Sequence, residues 1–492
     1  GKEIALNKFA HMLFMSFITM KNLIFCLLLL STAFCSSGQT HNGYEISVNV
    51  SGLSDSTIFL AYHFGDKQYI QDTVVLDSRG NAVFSGQEAL PQGIYMIVLP
   101  GKQYFEILMS DDQQFTVSCT HPDYFNTLSF SGSDENESFV VYQRNWVEMQ
   151  RKASGISKRL QSNRQNPDSL QILTGMQKKQ EDAMKSYLRE VIRKNENNLL
   201  SLLVRAMLPV EVPQFKIPEG TGNPDSVRWA MTYAYNRDHF FDNTDLTDER
   251  LLRTPILQAR LKAFFSNVLV QSPDSINRQI DRIIARTENN PKIFQFVSVF
   301  LFNHFRESEI MGHDAVVLKL ADDIYLSGKA DWVSDDFKKD LREQVERIRP
   351  NIIGMKAHDL IMDSDRGMFV ALYDIEKDFT VVYFWEPDCG HCAEATPKLK
   401  TWYDTAKNQG VEVFSVCTAG EKSKWQKYID DHKLDWINGW DPERRSNFGY
   451  YYNVEATPLI YILDRDKNII AKKIGVDDVG PFIDNYRKYF MK

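Results

Sequence analysis

The chain has 492 residues, of which 43% are hydrophobic and 25% are charged, and its formal net charge is −8. This length provides for about three domains, and the composition is that of a folded globular protein rather than a disordered one. The acidic balance argues against nucleic acid as a partner, because binding to phosphates requires clustered positive charge.

Residues 1–38 have the pattern of a leader. The chain does not begin with methionine, and Met20 is the expected natural start. Lys21 then precedes an apolar run, Leu23–Leu30, and small residues follow from Ser31 to Gly38. A basic part, an apolar part and a small-residue part in this order indicate a secretory signal, and the apolar run is too short to span a bilayer.

The leader predicts export to the periplasm or cell envelope, with a mature chain that begins near Gln39. A lipoprotein modified on Cys35 is the alternative, although Phe34 before that cysteine is bulkier than a lipoprotein signal normally carries. Contact with a membrane is expected only in that case. The mature chain keeps four of the six cysteines, too few for a disulfide scaffold: Cys119, Cys389, Cys392 and Cys417.

The sequence pattern of residues 39–133 predicts a small all-β sandwich. Apolar and polar residues alternate in short runs separated by turn residues such as Gly80-Asn81 and Pro100-Gly101. A period of two places one face of each strand in a core. The expected strands lie within Tyr44–Val50, Ile58–Tyr62, Thr73–Leu76, Ala82–Phe84, Gly93–Leu99, Tyr104–Met109 and Phe115–Ser118.

The sequence pattern of residues 134–350 predicts an all-α domain. Ile276, Ile280, Ile283 and Ile284 recur at helical spacing, as do other apolar residues across this region. The run of Pro, Gly and Glu from Pro209 to Pro224 indicates a long loop between two helical parts. The histidines and acidic residues here lack metal-ligand spacing, so the sequence predicts neither a metal nor a cofactor.

A short motif near residue 389 contains the candidate reactive residues. The apolar run Phe379–Trp385 predicts a strand, a turn follows, and Cys389 and Cys392 precede a helix expected from Ala393 onward. This spacing lets the two sulfurs meet, and unpaired N–H groups at the start of a helix favour a thiolate. Cys389 is therefore the expected nucleophile and Cys392 the resolving thiol.

Two other interpretations of the motif stay open on the residues alone. A pair of cysteines at this spacing occurs as half of a zinc site, but no second pair lies at ligand spacing. A static structural disulfide is the other interpretation, and it does not require a strand-turn-helix context.

The strand, the cysteine pair and the helix resemble the active site of the thioredoxin superfamily, and Cys-Gly-His-Cys is the order seen in protein disulfide isomerases. Residues 351–492 resemble the TlpA/ResA type of exported thioredoxin. The preceding parts resemble the β domain and the helical domain, both of unknown function, that accompany such proteins in Bacteroidota. Pro397 matches the residue that bends the active-site helix, and Thr457-Pro458 matches the cis-proline that faces the sulfurs.

The resemblance implies a set of site residues. Trp385 and Pro387 would form an apolar lip, and Thr457 and Pro458 would hold an extended client peptide. Gly390 and His391 between the cysteines would tune their redox behaviour, with His391 as a cation or donor beside the thiolate or else as an exposed spacer.

Two positions depart from the family pattern. Tyr383 stands where many thioredoxins have a buried aspartate, and Ala395 stands where the TlpA/ResA type usually has glutamate. The proton acceptor therefore stays open between Glu386, Glu394 and a water molecule. Cys417, at the end of a strand, is expected to be a buried thiol rather than a third redox group.

The function predicted from these patterns is a periplasmic thiol:disulfide oxidoreductase that acts on protein thiols and disulfides and serves redox homeostasis and antioxidant defence. It would require a redox partner that the sequence does not identify. A peroxiredoxin-like peroxidase is one alternative, although the pattern Pro-x-x-x-Thr-x-x-Cys is absent. A non-enzymatic binding protein on a thioredoxin scaffold is the other.

Overall fold

The computed structural model describes residues 43–491. The predicted leader, with its cleavage position and the alternative at Cys35, lies outside the described residues. The chain forms two compact units, one of residues up to Leu269 together with Ala285–Phe296, the other of Val270–Ile284 and the residues from Val297 onward. Between residues 43 and 491, no helix has both the length and the apolar character needed to cross a membrane.

The first unit begins with the predicted β-sandwich. One four-stranded sheet has the order β4-β1-β7-β8 and the other the order β3-β2-β5-β6. Apolar side chains of both sheets, among them Ile46, Leu60 and Ile107, form a single core between them. The strands are β1 Tyr44–Ser51, β2 Thr57–Phe64, β3 Lys67–Val75, β4 Asn81–Gly86, β5 Gly93–Leu99, β6 Gln103–Met109, β7 Gln114–Thr120 and β8 Ser129–Ser131.

Two strands differ from the sequence prediction. β3 begins six residues earlier than expected, at Lys67, because it pairs with β2 along its whole length although none of its residues is fully buried. A strand exposed on both faces has no apolar alternation, so its first part gave no period-two signal. β8 has three residues and was too short to be predicted.

The region from 134 to 350 is helical, as predicted, and belongs to both units. Three helices start with the same sequence signal, Asn or Ser followed by Pro-Asp-Ser. The side-chain oxygens of the cap residues Asn166, Asn223 and Ser272 accept hydrogen bonds from the N–H groups of the serines three residues later. Such a cap satisfies an N–H group that has no partner within the helix, and proline at the first helical position has no N–H group to satisfy.

These helices bury the faces that their periodicity indicates. Ile276, Ile280, Ile283 and Ile284 are all buried, and Pro209–Pro224 contains no helix before its last residue. The helices are α1 Tyr124–Thr127, α2 Asp134–Ser162, α3 Pro167–Lys194, α4 Leu199–Ala206, α5 Pro224–His239, α6 Ile256–Ala263, α7 Pro273–Thr287, α8 Pro291–Arg306, α9 His313–Leu320 and α10 Asp335–Ile348.

The C-terminal part is an α/β thioredoxin-like domain with a seven-stranded sheet of order β10-β9-β13-β12-β11-β14-β15. The central strand β11 pairs in parallel with β12 and antiparallel with β14. Its elements are β9 Ile361–Ser364, β10 Phe369–Ala371, β11 Phe379–Trp385, α11 Gly390–Ala406, β12 Val411–Cys417, α12 Lys422–His432, β13 Ile437–Trp440, α13 Phe448–Tyr451, β14 Leu459–Leu463, β15 Ile469–Lys472 and α14 Val479–Phe490.

Every residue of β11 is buried, because the sheet is covered on both faces. Val381, Tyr383 and Trp385 contribute to one core and Val382 and Phe384 to the other. The strand predicted from the apolar run Phe379–Trp385 is therefore the centre of the domain. Its carboxyl end, next to that of the parallel strand β12, is where the cysteine motif begins.

Two details of this domain differ from the sequence prediction. β13 was not predicted, since its four residues Ile-Asn-Gly-Trp lack an apolar run, and it becomes a strand by pairing with β12 and β9. The helix expected from Ala393 begins three residues earlier, at Gly390, because the side chain of Cys389 caps it.

Candidate active site

The two cysteines of the motif occupy different environments at the start of α11. Cys389 is the N-cap residue, and its side chain is partly exposed. Cys392 lies in the first turn of the helix and is fully buried. The structure has no disulfide bond between them. The helix start thus presents one sulfur toward solvent and keeps the other beneath it.

Hydrogen bonds fix the sulfur of Cys389. Its Sγ accepts a hydrogen bond from the backbone N–H of Cys392 at 3.2 Å, and its thiol lies 3.4 Å from the carbonyl oxygen of Thr457. The first of these bonds becomes stronger when the sulfur is negatively charged, because a charged acceptor binds an N–H donor more tightly.

The two thiols differ in acidity. Partial burial acts to raise the pKa of Cys389, but the side chains of Cys392 and Thr457 and the N–H groups of Cys392 and His391 outweigh it, so this pKa lies below the ordinary value. Burial, followed by the side chain of Cys389, raises the pKa of Cys392 to about 12. At neutral pH the exposed sulfur is therefore the one that more readily becomes a thiolate, which is the nucleophilic form.

The turn before Cys389 is held by the segment that follows β12. Thr418 donates a hydrogen bond from Oγ1 to Oε1 of Glu386 at 2.7 Å, and Lys424 of α12 forms an ion pair with Asp388 at 2.9 Å. The partly buried hydrogen bond from Thr418 fixes the Glu386 carboxylate, whereas the exposed ion pair contributes little. These contacts hold the residues that lead into the nucleophile.

The residues predicted around the sulfurs lie beside Cys389, with one exception. The Thr457–Pro458 peptide bond is cis, as the resemblance implies. Thr457, Pro458 and Pro387 are partly exposed, and Gly390 and His391 are exposed. Their roles in binding and tuning stay predictions.

The exception is Trp385, whose side chain is 0% exposed. As the last residue of β11 it points into the core below the site, where its ring stacks parallel to Tyr383 and lies 4.9 Å from the ring of Tyr428. The prediction that Trp385 forms a surface lip is wrong in placement, because strand alternation directs residue 385 to the same face as residues 381 and 383.

The structure also shows where the two positions that depart from the family pattern lie. Tyr383 is buried, and its hydroxyl hydrogen-bonds with Oγ1 of Thr396 at 2.9 Å. Ala395 is buried, whereas Glu394 is exposed on the outer face of α11. Of the two carboxylates predicted as proton acceptors, only Glu386 is held in the turn that leads into Cys389.

Thr396 and Tyr428 were not predicted as site residues. Thr396 follows Cys392 by four residues, so helical spacing could have placed it on the same face of α11. Tyr428 belongs to α12 and reaches the site only through tertiary packing, for which the sequence contains no signal.

The remaining cysteines have the environments of inert thiols. Cys417 is fully buried at the end of β12, and its thiol donates to the carbonyl oxygen of Ala419 at 3.0 Å. Cys119 in β7 is also buried, at 3% exposure. Burial raises the pKa of each to about 12, so neither is a ready nucleophile.

Three family matches cover most of the described chain. Residues 353–472 match the AhpC/TSA family, residues 44–139 match a domain of unknown function, DUF4369, and residues 174–351 match another, DUF5106. The first match contains both cysteines of the site and the Thr457–Pro458 bond. No curated protein matches the chain.

Several solved structures are similar to parts of this chain. A domain of a possible thiol-disulfide isomerase from Cytophaga hutchinsonii is 34% identical, with 29% of this chain and 97% of that chain covered and a TM-score of 0.28. The thioredoxin domain of a thiol-disulfide oxidoreductase from Bacteroides vulgatus is 24% identical, covering 28% and 98%, with a TM-score of 0.27. A thioredoxin-like protein from Bacteroides caccae is 18% identical, covering 56% and 100%, with a TM-score of 0.43.

The match over residues 353–472 falls on the domain that carries the dithiol at the end of its central strand. The chain thus carries a thioredoxin-like domain of the AhpC/TSA family, which follows DUF4369 and DUF5106 domains.

Proposed function

We propose that this protein exchanges disulfides with protein clients through Cys389 and Cys392. The observation that carries the proposal is the asymmetry of the dithiol: a partly exposed sulfur of lowered pKa lies directly above a buried sulfur of raised pKa. Such a pair provides an attacking thiolate and a second thiol that is protected from clients until the first has reacted.

The reaction has two steps. The Cys389 thiolate attacks one sulfur of a client disulfide, a Cys389–client bond forms, and the other client sulfur leaves as a thiolate. Cys392 then loses its proton and attacks the Cys389 sulfur, the bond to the client breaks, and the client leaves with both electrons as a dithiol. The steps are reversible, so the direction depends on the reduction potential of the pair relative to its partners.

The surroundings of Cys389 support a protein client. Thr457, Pro458 and Pro387 are partly exposed next to the sulfur, so a peptide that reaches Cys389 has to lie against them. Gly390 leaves the approach open, since outside its chain neighbours and the backbone of its own helix no heavy atom lies within 4 Å of the position a Cβ would take. His391 lies between the two cysteines in the sequence and is exposed, and an imidazolium at this position would stabilise a thiolate.

Two assays separate this function from its alternatives. The purified reduced protein should accelerate the reduction of insulin disulfides by dithiothreitol and should not consume hydrogen peroxide faster than free thiols do. Peroxide consumption that exceeds insulin reduction would support a thioredoxin-fold peroxidase instead. Inactivity in both assays by a correctly folded protein would support a binding protein.

We also propose that the protein acts outside the cytoplasm, on the pattern of residues 20–38. Expression of the chain from Met20 in a bacterial host should yield a periplasmic product whose N-terminus lies near Gln39, measured by mass spectrometry. An acylated Cys35 at the N-terminus would show a lipoprotein instead, and retention of Met20 would contradict export with cleavage.

A further inference from the structure

The further inference concerns the antiparallel hairpin that the two long helices α2 and α3 form. Asn145 of α2 donates a hydrogen bond to the hydroxyl of Tyr187 in α3 at 3.1 Å. Further along, Gln180 donates one to the carbonyl oxygen of Met149, also at 3.1 Å. The structure describes every residue from 143 to 187, and only Leu173 among them is buried. The outer part of the hairpin therefore leaves most of its surface to solvent.

This outer hairpin, residues 149–180, is strongly basic. It contains seven basic residues and one acidic residue, Asp168, although the whole chain has a net charge of −8. All seven basic side chains are exposed: Arg151, Lys152, Lys158, Arg159, Arg164, Lys178 and Lys179. Like charges on neighbouring turns repel each other, so this surface favours an anionic partner.

Most of these cations have no counter-charge within the protein. Arg151 and Lys152 both contact the carboxylate of Glu148, at 2.9 and 3.5 Å. The other five form no ion pair with any residue between 43 and 491: Lys158, Arg159, Arg164, Lys178 and Lys179. An anionic partner can therefore bind them without displacing a carboxylate of the chain.

Apolar side chains are exposed among the cations. Ile172 is 65% exposed and Met176 is 39% exposed. Ile172, Met176 and Lys179 are separated by four and three residues, which places them on one face of α3. Helices that lie at a membrane surface combine basic and exposed apolar residues, because the cations meet phosphate groups while the apolar side chains enter the boundary with the acyl chains.

The arrangement favours a membrane over a folded acidic protein as the partner. Arg151 and Lys158 are seven residues apart on α2. Lys152 and Arg159 have the same spacing, so the cations form rows along the helix rather than one pocket. A membrane with anionic lipids presents phosphate groups along such rows, and beneath them an apolar layer that Ile172 can enter. The rest of the chain has a net negative charge and is repelled by the same membrane, which confines the contact to the hairpin.

We propose that the outer hairpin binds the surface of membranes that contain anionic phospholipids. Its basic side chains contact the phosphate groups, and Ile172 and Met176 enter the layer below them. The sequence predicted contact with a membrane only through a lipid on Cys35, whereas this contact needs no acylation. It is also independent of the proposed disulfide exchange, so it holds or fails whatever the activity of the dithiol.

The test measures co-sedimentation of the protein with vesicles of phosphatidylglycerol and phosphatidylcholine in equal parts. The protein used is the chain from Gln39 onward, the expected mature product, because the apolar leader could itself contact lipid. It should bind these vesicles at low salt and bind vesicles of phosphatidylcholine alone far more weakly. Added salt should weaken the binding to the anionic vesicles, because it screens the cations.

Neutralising four unpaired cations of the outer hairpin should remove most of the binding. The combined variant carries these substitutions: Lys158→Gln, Arg159→Gln, Lys178→Gln and Lys179→Gln. Each basic residue near an anionic membrane strengthens binding about fivefold, so this variant should bind at least about a hundredfold more weakly. Its melting temperature should not fall, since no ion pair is lost.

The matched control removes the same amount of charge elsewhere. It replaces four exposed basic residues outside the hairpin that also form no ion pair among residues 43–491: Lys67→Gln, Lys262→Gln, Lys339→Gln and Arg465→Gln. Its net charge equals that of the hairpin variant, and it should bind the anionic vesicles as the unaltered protein does. A third variant, Ile172→Gln with Met176→Gln, should bind more weakly than the unaltered protein while keeping the same dependence on salt.

The inference would be overturned if the unaltered protein did not bind the anionic vesicles, or if the hairpin variant bound them no more weakly than the control. Binding that depends on the cations but not on Ile172 and Met176 would contradict entry into the apolar layer. Dimers that form without vesicle binding, and that the hairpin variant abolishes in sedimentation velocity, would show that a second copy of this chain covers the hairpin instead.

Discussion

Replacing Cys389 by serine should abolish disulfide exchange, whereas replacing Cys392 by serine should leave the first attack intact and block release. Serine at 389 lacks a sulfur to attack with, and the other described thiols are buried with pKa values raised to about 12. Insulin reduction by Cys389→Ser should fall at least roughly a hundredfold, to the background of free thiols.

Cys392→Ser should accumulate mixed disulfides between Cys389 and client proteins, because the other thiols among residues 43–491, Cys119 and Cys417, are both buried. These adducts would appear on non-reducing gels as bands that dithiothreitol removes. Cys417→Ala is the matched control, since it removes another buried thiol of the same domain and should retain activity. Adducts that accumulate with Cys389→Ser instead, or full activity of both serine variants, would contradict the assignment of the two sulfurs.

The second large effect is a loss of stability, and it is expected when a buried lysine loses its ion-pair partner. Lys472 at the end of the edge strand β15 is 4% exposed, and its ammonium group forms an ion pair with Asp314 in the first turn of α9. It also donates to Oδ1 of Asn351 at 2.9 Å. Burial lowers the pKa of Lys472, and Asp314 acts against this effect.

Asp314→Ala should destabilise the second unit by about 3 kcal/mol, because it leaves a buried cation with only a neutral partner. Urea unfolding followed by tryptophan fluorescence measures this, since six of the eight tryptophans lie in this unit. Asp477→Ala, which breaks an exposed pair with Lys398, is the control and should cost less than about 1 kcal/mol.

The destabilisation caused by Asp314→Ala should depend on pH, in a direction set by the lowered pKa of Lys472. Without Asp314, the pKa of Lys472 in the folded protein falls further below the ordinary lysine value of 10.5. Between these two values the unfolded chain binds more protons than the folded one, so stability rises with pH. The deficit of Asp314→Ala should therefore shrink as the pH approaches the ordinary lysine pKa. A deficit that is constant with pH, or no larger than that of Asp477→Ala, would show that the pair is not buried as described.

The sequence by itself determined the order of the three regions, the central strand Phe379–Trp385 and the dithiol at its end. These depend on local patterns: apolar residues at a period of two or 3.6, an uninterrupted apolar run, and two cysteines at the start of a helix. The Ile276–Ile284 face could be predicted for the same reason.

Only the tertiary structure decided which side chains surround the sulfurs. Trp385 was expected at the surface, but the sheet is covered on both faces and β11 turns this residue into the core. Tyr428 reaches the site from α12, more than thirty residues after Cys392, and β13 exists only because β12 and β9 pair with it. The partner of Lys472 belongs to a helix more than 150 residues earlier in the chain. Contacts between distant segments leave no periodic trace in either segment, so local patterns could place the two cysteines but not the side chains that pack around them.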